Sequence, residues 1–154
     1  MQFTRACDYA VRVLSYLVNA DGSVSRAQAI AASTRIPESF LAKILGQLCR
    51  AGMVRSHRGA HGGFSFAADT ETLTLLEVVE AMEGPLHLNL REAPDPCGFV
   101  DHCPIQSAWA KAEESLRESL RSQKISDLAA TCKHEQVFVE AAPVSTGPQL
   151  APVA

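Results

Sequence analysis

Nothing in this 154-residue chain is long and apolar enough to cross a bilayer. Its start, Met1-Gln2-Phe3-Thr4-Arg5, lacks the charged opening and apolar run of an export leader, so the expected compartment is the cytoplasm. Thiols are kept reduced there, and the cysteine count of 5 is odd, so a framework of structural disulfides is not expected. A basic surplus is missing too: 14 Lys and Arg against 17 Asp and Glu give a net charge of -3, which on its face speaks against nucleic acid. There is no internal repeat. No nucleophile, base and orienting group form a recognisable set, and glycine-rich Arg58–Gly63 has no phosphate-loop lysine. An enzyme with a small-molecule substrate is therefore not the expectation.

What is present is the balance of one ordinary folded domain, 47% hydrophobic and 20% charged. The average charge conceals a split. Residues 1–66 carry eight basic and three acidic side chains, a balance of +5, and residues 67–154 carry six and fourteen, a balance of −8. The N-terminal half alone has the sign a nucleic acid attracts.

Ala10, Val13, Leu14, Leu17 and Val18 recur at helical spacing and predict a helix from about Cys7 to Asn19, closed by Asp21-Gly22. Ser25 and Gln28 have the spacing of a capping box and predict a short helix to about Ser33. Pro37 suits the first turn of a third helix, whose inner face is Leu41, Ile44, Leu45 and Leu48 and which Gly52 stops. The period then changes: Met53–Ser56 and Phe64–Phe66 read as two strands around a polar, glycine-rich loop. Thr74 and Glu77 open a further helix, stopped by Gly84-Pro85. Residues 84–104 are rich in proline and glycine and hold Cys97 and Cys103. An amphipathic helix then runs from about Pro104 to Gln123, and Ser126 is placed to cap one more turn.

Three helices and a glycine-tipped hairpin form a winged helix-turn-helix: mainly α, with a small β wing, followed here by a long helix. In such a unit the rear of the third helix is buried and its front is free to enter a major groove. Its outward positions include Ser39, Phe40, Lys43, Gln47 and Arg50. Lys43 and Gln47, one turn apart, could reach base edges, and Ser39 a phosphate. Arg58 and His61 stand in the wing loop, where glycines let backbone approach the duplex. Ile105, Ala108, Trp109, Ala112, Leu116 and Leu120 stripe the long helix, with too little further chain to cover them. Pairing with a second copy about a twofold axis would bury the stripe and present two reading helices to a palindrome.

Cys97 and Cys103, with five residues between them on an irregular loop, leave three readings open: metal or cluster ligands, a redox thiol pair, or ordinary cysteines. Cys49, beside Leu48 on the third helix, reads as structural.

Met1-Gln2-Phe3-Thr4 with Asp8-Tyr9-Ala10-Val11 resembles the opening of the IscR/NsrR-type (Rrf-type) bacterial transcription regulators. Pro37-Glu38-Ser39-Phe40-Leu41, Arg50-Ala51-Gly52-Met53-Val54, Arg58-Gly59-x-x-Gly62-Gly63-Phe64, Cys103-Pro104 with Trp109, and Ile125-Ser126-Asp127-Leu128 follow in the same order. The resemblance spans nearly all of residues 1–130. It implies a dimer on palindromic double-stranded DNA, here expected to act as a repressor, with an iron–sulfur cluster, [2Fe-2S] or [4Fe-4S], sensing redox state, nitric oxide or iron. On that pattern Cys97 and Cys103 are the second and third loop cysteines. The first falls at Arg91, a departure. One branch completes the site with a histidine where Gln106 stands, and a two-cysteine branch uses a histidine where Arg12 stands. A third uses a carboxylate from the first helix of the partner subunit, at the position of Asp8. Asp8 is thus the leading non-cysteine ligand, equally readable as a helix-opening acid favoured by the dipole. Cys7, Cys132 and His102 are further candidates.

The expected organisation is a DNA-binding unit over 1–83, a cysteine-bearing sensor loop over 84–104, a dimerisation helix and turn over 105–130, and a mostly disordered tail over 131–154. The alternatives are a regulator switched by a Cys97–Cys103 disulfide without a cluster, and a structural zinc-binding interaction module.

Overall fold

The computed structural model describes residues 3–69, 71–88 and 104–132. The expected tail from residue 133 onward lies outside these described residues, as do Arg91, Cys97, His102 and Cys103; Thr131, expected in the tail, instead ends the last helix. Six helices and one hairpin follow in the order α1 (Arg5–Asn19), α2 (Ala27–Thr34), α3 (Glu38–Arg50), β1 (Val54–His57), β2 (Gly63–Phe66), α4 (Leu75–Glu83), α5 (Pro104–Arg121) and α6 (Ile125–Thr131).

Helix α1 is the hub. Its apolar positions Ala10, Val13, Leu14 and Leu17 are fully buried, and α2, α3, α4, α6 and β2 all pack against it. Removing a leucine side chain from such a position costs about 2–5 kcal/mol. The Thr4 side chain does not cap α1. Its amide and hydroxyl instead donate to one Glu83 carboxylate oxygen, at 3.1 and 2.5 Å, which fastens the start of α1 to the end of α4. The helix ends in a reversal at Asp21 and Gly22, both with positive φ.

The capping box expected at Ser25 does not form: Arg26 holds the N-cap of α2, without a side-chain bond. Ser25 is committed elsewhere. Its amide and carbonyl pair with the carbonyl and amide of Phe64, both at 2.8 Å, and add a bridge to the wing. The left-handed Arg35, φ 56, turns the chain from α2 toward α3. Pro37 is the N-cap of α3 rather than part of its first turn, and its carbonyl accepts from Phe40 and Leu41. Gly52 takes the positive φ that ends this corner.

In the antiparallel wing Val54 pairs with Phe66 and His57 with Gly63. The expected Thr74–Glu77 capping box is complete, each residue's side chain bonding the other's backbone. Lys124, not Ser126, occupies the N-cap of α6. The corner between α5 and α6 is stitched to the start of α4 by Leu75 N–H to Gln123 O at 2.8 Å and Ile125 N–H to Leu73 O at 3.0 Å. Ile125 is consequently buried in the same core as α1 and α3. A second, smaller cluster joins Cys7, Leu76, Val79, Leu86 and Leu120 where α1, α4 and the foot of α5 meet.

Candidate nucleic-acid interface and sensor region

At 3.6 residues per turn, Ser39, Phe40, Lys43, Gln47 and Arg50 fall within an arc of about 100° on α3, facing away from buried Leu41, Leu45 and Leu48. Ser39, Phe40, Lys43 and Arg50 are exposed and Gln47 is half-buried. Phe40 is 54% exposed, unusual for so large an apolar side chain. One edge of its ring meets Tyr9 of α1, with centroids 6.2 Å apart and planes at 72°. The guanidinium of Arg12 lies 6.0 Å from the Tyr9 centroid. These contacts tie α1 to the flank of the reading helix.

Arg58 and His61 are exposed at the wing tip. The wing is built around close backbone approaches: a Cβ on Gly63 would come within 2.4 Å of the Ser25 carbonyl oxygen, and one on Gly62 within 2.6 Å of that of His57. His57 Nε2 lies 2.8 Å from the buried Ser65 hydroxyl and links the two strands.

Among the candidate ligands, Asp8 is exposed in the first turn of α1 and pairs with Arg12 at 2.8 Å. Cys7, beside it, is buried, and its thiol is pushed up to about 11 by burial first, then by Glu83 and Asp8. Without a metal the sulfur stays protonated at neutral pH, and a metal would have to displace that proton to bind it. Burial likewise raises Cys49, in keeping with its structural reading. Cys132 is an exposed thiol just beyond α6. Among the described residues, no three His, Cys, Asp or Glu side chains stand close enough to hold a metal ion.

The approach to the cysteine loop is held firmly. Leu86 is buried, its N–H meets Glu80 at 3.4 Å, and its carbonyl meets Arg117 at 3.4 Å. Arg117 also pairs with Glu80 at 2.9 Å. Just beyond, Glu113 accepts the Leu88 amide at 3.1 Å and stands 3.6 Å from His87 Nδ1. Residues 86–88, in the first part of the expected 84–104 loop, are therefore bound to α4 and α5. No sequence pattern reveals this clamp, because its members lie on separate elements. Farther toward its N-terminus α5 is uncovered, with Ile105 67% and Trp109 47% exposed.

A family model described as Rrf2, iron-dependent transcriptional regulator, matches residues 3–131. The chain belongs to the Rrf2 family. It is thus a transcriptional regulator with a DNA-binding fold, in a family of regulators rather than enzymes. Among its relatives, protein aau3 of Rhizobium meliloti (strain 1021) is 35% identical over 130 residues, which is 83% of this chain and 84% of that one. CymR of B. subtilis, described as its global cysteine regulator, matches with a TM-score of 0.68 at 22% identity, over 86% of this chain and 98% of its own. IscR of T. potens matches with a TM-score of 0.65 at 23% identity, over 84% and 87%. At such identities the two solved structures speak to the winged-helix fold. Among the described residues of this Rrf2 chain, no helix is long and apolar enough to cross a membrane.

Proposed function

We propose that this Rrf2 protein is a cytoplasmic homodimer that binds a palindromic operator, acts as a repressor, and is released or retained according to the state of Cys97 and Cys103. The observation that carries the DNA half is the exposed arc of α3, with Ser39, Phe40, Lys43, Gln47 and Arg50 side by side and Arg58 and His61 on the adjoining wing. The uncovered Ile105 and Trp109 support pairing through α5, because an isolated helix would leave that apolar stripe in water.

Cys97 and Cys103 would hold an iron–sulfur cluster, with Asp8 supplying an oxygen ligand. Asp8 fits that role in being exposed and ionisable, and it must exchange its Arg12 partner for the metal. Cys7 fits less well, because it is buried and a metal would have to displace its proton. Bound there, a cluster supplies a centre that responds to oxidant, nitric oxide or iron supply. The chain's own contribution is mechanical. The clamp of Glu80, Glu113 and Arg117 fixes one end of the loop to α4 and α5, and α5 begins at its other end. A change of loop conformation then acts on the dimer helix and on the spacing of the two reading helices.

Arg91, standing where the family pattern has a cysteine, favours a second reading in which Cys97 and Cys103 form a disulfide. The two thiols lose two protons and two electrons to an oxidant such as a peroxide, and one S–S bond forms. Anaerobic purification followed by absorption spectroscopy and iron, sulfide and zinc analysis separates these readings. Colour with iron and sulfide supports the cluster, and a colourless, metal-free protein supports the disulfide. Stoichiometric zinc contradicts both. Cys97→Ser should make operator binding insensitive to oxidant, nitric oxide and chelator, and unchanged sensitivity overturns the sensor assignment.

A further inference from the structure

We infer that Phe40 is a specificity-determining residue that reads the 5-methyl group of a thymine in the major groove, with Tyr9 holding its ring in reading position. This deepens the DNA-binding reading above and rests on it. More than half of the Phe40 surface is open to water, on the one face of α3 that also carries Lys43 and Arg50. An apolar docking partner would have to accept those cations at its edge, whereas a nucleic acid attracts them. Glu38 is the acid nearest in sequence, at the first position of the helix. The major groove offers a phenyl ring one apolar feature, the thymine methyl.

The ring is also prepared for that contact. The edge-to-face meeting with Tyr9 restricts Phe40 before DNA arrives, and the Arg12 guanidinium lies over the Tyr9 ring, 6.0 Å from its centroid. Less rotational freedom is then lost on binding. Phe40 stands three residues before Lys43, about 4.5 Å along the helix axis, close to the spacing of one base step. The thymine should accordingly lie within about two base pairs of the position that Lys43 contacts.

The test uses the full chain and duplexes enriched from a random-sequence pool. Each thymine of the enriched site is replaced by deoxyuridine, which removes the methyl and nothing else. One position per half-site should weaken binding about fourfold, the effect of losing one buried methyl. With Phe40→Ala the same replacement should have no effect, while Phe40→Leu should retain part of it. A uracil effect of equal size in wild type and Phe40→Ala, or an enriched site at which no uracil weakens binding, overturns the inference and leaves DNA binding standing. If no sequence is enriched at all, the DNA reading itself falls, and this inference with it.

Discussion

The Asp8 carboxylate lies 2.8 Å from the Arg12 guanidinium, one turn further along α1, with both side chains about half exposed. In water such a pair contributes little, about 0.3–0.5 kcal/mol. Its interest lies in competition, since Arg12 occupies the carboxylate that the proposed cluster requires.

Arg12→Gln should therefore leave the denaturant midpoint almost unchanged while strengthening iron retention during chelator challenge. Asp8→Asn should weaken retention and alter the visible absorption of iron-loaded protein. Identical spectra and retention in Asp8→Asn and wild type would remove Asp8 from the ligand set.

A buried thiol beside these residues gives a pH signature in cluster-free protein. Cys7 is raised from 9.0 to about 11, so the folded state holds its proton more tightly than the unfolded state. The associated stability is complete below pH 9 and is lost as pH climbs toward 11, by an amount approaching about 3 kcal/mol. Unfolding curves across that range should fall more steeply for wild type than for Cys7→Val. Parallel curves would show that Cys7 does not titrate there. Alkylation at neutral pH should strike exposed Cys132 well before Cys7.

Gly63 has an ordinary backbone conformation, yet it has no room for a side chain against the Ser25 carbonyl. Gly63→Ala should cost about 1–3 kcal/mol through overpacking and should loosen the wing. Amide exchange at Phe64, whose N–H donates to Ser25, would accelerate. Full retention of both stability and protection contradicts the close approach.

Ser15 is fully buried on α1, and among the described residues its hydroxyl has no hydrogen-bond partner. A desolvated, unpaired hydroxyl destabilises, so Ser15→Ala should raise stability by about 1 kcal/mol. A loss of similar size in urea unfolding would reveal a partner for that oxygen.

Much of this architecture was legible in the chain. The 3.6-residue spacing of Val13, Leu14 and Leu17, and of Leu41, Ile44 and Leu45, placed α1 and α3, because one-sided burial leaves a periodic trace. The Thr74–Glu77 box was readable because capping is local. Ser25 misled for the opposite reason. Its spacing to Gln28 fitted a local cap, but the distant Phe64 strand claimed its backbone. The Tyr9–Phe40 contact and the Glu80–Arg117 clamp have no local signature at all; they exist only after α1 meets α3 and α4 meets α5. The exposed face of α3 followed from periodicity, whereas its aromatic contact with Tyr9 did not.

If the basic half of this acidic protein reads DNA, operator affinity must respond steeply to a salt titration. With Lys43, Arg50 and Arg58 of both protomers against the duplex, log affinity should fall with log salt at a slope of about −5, and Arg58→Ala should flatten it. An affinity that does not change with salt would rule out binding through these phosphate contacts.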